Sequence, residues 1–91
     1  MSTTPGDDGT IAKALLDYLA VTQWTPADLR RRAGLTRATT YAILSGRRGL
    51  GFAIAEQIER ATVEAFTRGE TAAPPLRAID LMRLPREREA A

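Results

Sequence analysis

The sequence predicts an all-α fold, a bundle of four to five short helices. Two observations carry this. Apolar residues recur at the spacing of a buried helix face towards both ends of residues 11–67. Between them, threonine starts and glycine stops cut the chain into short helical lengths. The composition agrees: 91 residues, 44% hydrophobic and 26% charged, is the balance of one globular domain. A domain this small has a thin core, so a second copy of itself is an expected source of further burial.

Residues 1–10 combine Ser, Thr, Pro, Gly and Asp without apolar periodicity and read as a flexible N-terminal tail. Thr10 is placed to cap a first helix over 11–21, where Ile11, Leu15, Tyr18 and Leu19 share a face that Leu16 widens. Thr22 and Gln23 end it. Thr25-Pro26 starts the second helix, over 26–33, because a threonine oxygen accepts from the orphan amides and proline at the first position sacrifices none. Asp28 suits the positive end of that helix dipole, and Arg30, Arg31 and Arg32 its negative end. Gly34 stops it and Leu35 turns the chain inward. Thr36 caps a third helix, 37–45, which Gly46 closes ahead of the basic loop RRGLG. A fourth helix, 52–67, carries Ile54, Ile58, Ala61 and Ala65 near one face. The stretch TRGETAAPP reads as a linker. Periodicity leaves LRAIDLMRL open: Leu76, Ile79 and Met82 have helical spacing, while Arg77, Ile79, Leu81 and Arg83 have strand spacing. Pro85 ends it, and RERE is a charged tail. The chain thus divides into the tail 1–10, a domain 11–68, and a linker with C-terminal segment 69–91, the last a candidate for dimerisation or a partner.

Cysteine and histidine are both absent, which removes disulfides and thiolate sites and leaves metal binding and most nucleophile–base pairs without their usual residues. The carboxylates are scattered. No catalytic cluster, metal site or cofactor motif is expected, and the chain reads as not an enzyme. No apolar run is long enough to span a bilayer, and the N-terminus lacks the basic start and apolar stretch of a signal peptide, so the expected location is cytoplasmic with no membrane contact. The formal charge of +2 says little, but its distribution says more. From Trp24 to Gly51 six arginines stand against one acid, Asp28, the footprint of a phosphate-binding surface.

The order of features over TPADLRRRAGLTRATTYAILSGRRG — capped helix, glycine turn, threonine-capped helix, glycine stop, basic loop — resembles the phage-repressor helix-turn-helix family (Cro/CI, XRE-type). The likeness extends over about residues 11–67. It implies a lambda-repressor-like bundle in which Leu29, Gly34, Leu35, Ile43 and Gly46 set the frame, and the helix at 37–45 lies in the major groove of double-stranded DNA. Arg37, Ala38, Thr39, Tyr41 and Ala42 are then the expected base contacts. Arg37 can pair bidentately with guanine, and the alanines can meet thymine methyls. Thr25, Thr36, Ser45, Arg47 and Arg48 are the expected phosphate contacts. For Tyr41 the alternative of packing on a neighbouring side chain stays open. Three positions depart from the family pattern: Pro26 for a frequent Gln, Arg30 for a small residue, and Thr40 for Val or Ile, whose added hydroxyl needs a partner. The implied function is a sequence-specific transcriptional regulator, a repressor binding a pseudo-palindromic operator as a homodimer. The alternative is an antitoxin or adaptor that binds protein through 76–84.

Overall fold

The structure, a computed structural model, describes residues 10–86, which form five α-helices and, among these residues, no strand. They are α1 (Ile11–Thr22), α2 (Pro26–Ala33), α3 (Arg37–Leu44), α4 (Phe52–Thr67) and α5 (Ala78–Met82). The tail residues 1–9 and the end of the charged RERE stretch lie outside the described residues.

Three threonines start three helices by one mechanism. Thr10, Thr25 and Thr36 each accept an amide hydrogen bond at 3.1 Å, from Lys13, Asp28 and Thr39 respectively. At α2 the Asp28 carboxylate returns the bond to the Thr25 amide at 2.9 Å, completing a capping box. Gly34, at φ 72°, ends α2 in the left-handed region that an L side chain enters only with strain. Gln23 takes the same region at φ 62° without being glycine, and its amide bonds the Leu19 carbonyl. The helix ends expected at 21 and 45 fall at Thr22 and Leu44, with Ser45 as the C-cap of α3.

One core joins all five helices. Ile11, Leu15, Leu19, Leu29, Ala33, Ile43, Leu44, Ile58, Ala61 and Leu81 bury together, with Trp24, Leu35, Leu50, Ile54, Leu76 and Leu84 partly buried against them. α4 packs on α2 and α5, and α1 packs on α3 and α5. Of the stripe expected on α1, Ile11, Leu15, Tyr18 and Leu19 are buried and Leu16 is exposed at 47%. Thr40 is buried where the added hydroxyl called for a partner, and it donates to the Thr36 carbonyl at 2.9 Å.

The segment left undecided by periodicity is helical at Ala78–Met82, and its buried side is Ala78 and Leu81. Ile79 and Met82, two of the three residues at helical spacing, face outward at 60% and 42% exposure. The physical reason lies on α4. Thr62 accepts from the Leu76 amide at 3.0 Å, and the Glu59 carboxylate accepts from the Ala78 amide at 2.8 Å and from Arg77 at 3.2 Å. Those bonds fix which side of α5 turns inward. Pro85 then accepts from the Ile11 amide at 3.0 Å, closing the segment over the start of α1. Residues 76–85 are therefore part of the same packed unit as α1–α4.

Candidate functional site

α3 buries Thr40, Ile43 and Leu44 and turns the rest of its surface outward. At about 100° per residue the outward side centres on Ala38, Ala42 and Ser45. Tyr41 and Arg37 lie on one flank and Thr39 on the other. The centre of this face is thus small-chained, and the bulk and charge stand at its edges. All five residues expected as base contacts, Arg37, Ala38, Thr39, Tyr41 and Ala42, lie on this outward surface, exposed or half-buried.

The turn ahead of α3 is braced from the core side. Leu35 plugs it, and Gln57 of α4 donates to the Gly34 carbonyl at 3.4 Å. The contribution of Gln57 has no signature in the sequence, since it falls on the polar side of α4. Behind α3, the Arg47 and Arg48 amides both reach the Ala42 carbonyl, at 3.0 and 3.2 Å, so the basic loop folds back on the helix that precedes it.

The six arginines of this region separate into classes that composition does not distinguish. Arg31 pairs with Asp28, and Arg32 pairs with Glu70 at 2.6 Å while its guanidinium lies 4.5 Å above the Trp24 ring. Trp24 in turn meets Tyr18 edge-on, with ring centroids 5.3 Å apart. Those two arginines belong to the scaffold. Arg30 is half-buried. Arg37, Arg47 and Arg48 are exposed and form no ion pair with a carboxylate of the described residues. No acid occurs in the chain between Asp28 and Glu56, and among the described residues the α3 face and its loop carry positive charge that no carboxylate pairs with.

Each of the three has a neutral partner on α3 or at its C-cap. The Arg37 guanidinium stands 5.7 Å from the Tyr41 ring centroid. Arg48 donates to the Thr39 hydroxyl at 3.3 Å. Arg47 Nε donates to the Ser45 hydroxyl at 3.1 Å, and Ser45 donates onward to the Ala42 carbonyl at 3.1 Å. Tyr41, for which packing on a neighbour was an open alternative, therefore does carry such a neighbour.

The threonines expected to meet phosphates differ in their surroundings. Thr36 caps α3 with its hydroxyl oxygen and keeps its O–H free to donate at the positive end of that helix. Thr25 sits beside the Asp28 carboxylate, which the Thr25 amide and then its hydroxyl hold below the ordinary carboxylate value. A phosphate at Thr25 would meet the Asp28–Arg31 ion pair and not an unpaired cation, which sets it apart from the arginine-flanked face.

Comparison with known proteins returned no match to a family model, to a curated protein or to a solved structure.

Proposed function

We propose that this chain is a DNA-binding transcriptional regulator of the helix-turn-helix kind, with α2 and α3 as the motif and α3 laid in the major groove. The observation that carries the reading is the α3 face itself: a small-chained centre flanked by three arginines that no carboxylate of the described residues neutralises. Ala38 and Ala42 allow the helix to approach base edges closely, and Arg37 at its first turn reaches guanine O6 and N7. Thr36, Arg47 and Arg48 meet phosphates on either side, which fixes register and supplies most of the affinity. The protein acts in this reading as a repressor in the cytoplasm, needs no cofactor and catalyses no reaction.

A pseudo-palindromic operator and a homodimer complete the reading, with half-sites about 34 Å apart. On the C-terminal segment, the exposed Ile79 and Met82 of α5 are the apolar side chains offered for self-association, since Ala78 and Leu81 are spent on the chain's own core. The same two residues are what an antitoxin or adaptor would offer a different protein through 76–84. Deleting the segment does not separate these readings, because it would also strip Leu81 from the core. Ile79→Ser with Met82→Ser does. Loss of both dimer and tight operator binding supports self-association through α5; unchanged sedimentation and DNA binding removes α5 from the subunit interface and leaves it free for a separate partner.

Selection of bound duplexes from random DNA tests the main reading. It predicts a recovered inverted repeat containing guanine, bound more weakly as salt rises. Recovery of no enriched sequence would overturn it.

A further inference from the structure

We propose that Tyr41, Thr39 and Ser45 are positioning residues that work through Arg37, Arg48 and Arg47, so that the face divides into one base-reading pair and two phosphate clamps. This rests on the DNA-binding reading above and goes beyond it by removing three side chains from the direct contacts. The argument begins with what a carboxylate would do. An acid can fix an arginine in place, but it cancels the charge that a phosphate or a guanine edge needs. A ring face or a hydroxyl restrains the guanidinium and leaves its charge intact.

The three exposed arginines of this surface all have restraints of the second type, at 5.7, 3.3 and 3.1 Å. The three restraining residues share one eight-residue helix and its C-cap. Arg37 and Tyr41 are one turn apart, the spacing at which side chains on a helix meet. Ser45 already accepts from Arg47 and donates to the Ala42 carbonyl, so its hydroxyl hydrogen is committed inside the protein. Arg48 begins in the loop after α3 and reaches back to Thr39, on the flank opposite Tyr41. Base choice then falls to Arg37, steadied by Tyr41, with Ala38 and Ala42 admitting thymine methyls beside it. The favoured half-site carries a guanine next to thymine.

The test uses the full chain and the duplex recovered by selection, with the selected guanine replaced by 7-deazaguanine to remove its N7 acceptor. The wild-type protein loses affinity on that replacement. Tyr41→Ala shrinks the loss by about two- to fivefold, the contribution of an exposed ring–cation pair, and Tyr41→Phe, which keeps the ring, restores it. Thr39→Val and Ser45→Ala weaken binding to every duplex alike, by about two- to tenfold, and leave the guanine preference unchanged. Adding Thr39→Val to Arg48→Ala, or Ser45→Ala to Arg47→Ala, costs nothing beyond the arginine change. Tyr41 is 46% exposed, so a melting curve matching the wild type confirms that its variants remain folded. A guanine preference untouched by Tyr41→Ala, or additive losses in the double variants, overturns the assignment while DNA binding stands. Absence of binding to any duplex overturns both.

Discussion

Thr40 and Thr62 are both sealed in the core, at 1% and 0% exposure, yet their hydroxyls carry different consequences. Thr40 donates to the Thr36 carbonyl, which also accepts the Thr40 amide, so removing the hydroxyl orphans nothing. Thr62 accepts the Leu76 amide that anchors the C-terminal segment. Thr62→Val is expected to cost about 1–3 kcal/mol, and Thr40→Val less than about 1 kcal/mol. Equal losses in urea titrations would contradict that contrast. Tyr18 presents the reverse case. Its ring packs on Trp24, but its hydroxyl is buried with no hydrogen-bond partner among the described residues, and burial raises its pKa above the ordinary tyrosine value. Tyr18→Phe keeps the ring and removes the orphan, so it is expected to raise stability by about 1 kcal/mol, read from the urea midpoint. A lower midpoint would mean that the hydroxyl does bond.

At the scale of elements, a single carboxylate on α4 holds the start of α5. The Ala78 amide first, and Arg77 second, hold Glu59 below its ordinary value of 4.5. A carboxyl whose native value is lowered contributes stability that is complete above the unfolded value and is lost as pH falls through the native one. The urea midpoint should therefore fall more steeply below pH 4.5 in the wild type than in Glu59→Gln. Asp28 adds an acid slope of the same sign, common to both proteins. Parallel pH profiles would contradict the docking role of Glu59. The same element shows where the sequence stops being legible. α1 could be read because its buried residues Ile11, Leu15, Tyr18 and Leu19 are large and periodic. α2 and α3 could be read because threonine caps and Gly34 act within three or four residues. Which side of α5 turns inward is decided by Glu59 and Thr62, far away in the chain, and one of its two buried residues is only an alanine. The candidate site is legible to the same degree. Its outward residues follow from the periodicity of α3, but which arginines stay uncancelled depends on Glu70, 38 residues from its partner Arg32.

For the whole molecule, a shared core that includes Leu81 makes the C-terminal segment part of the platform that holds α3 in place. Ile79 and Met82 remain outside that core, and Ile79→Ser with Met82→Ser should shift any dimer towards monomer in sedimentation without lowering the melting temperature by more than a few degrees. The charge of the α3 face belongs to this scale too, because phosphates respond to the summed field and not to one side chain. Binding of the chain to duplex DNA, followed by fluorescence anisotropy across a salt series, tests the central claim most directly. The account predicts an affinity that falls steeply with salt. Arg47→Ala and Arg48→Ala should each reduce the logarithmic slope by about one, and Arg31→Ala, on α2 and paired with Asp28 in place of a phosphate, should leave it nearly unchanged. No binding at low salt, or a slope as sensitive to Arg31 as to Arg47 and Arg48, would contradict it.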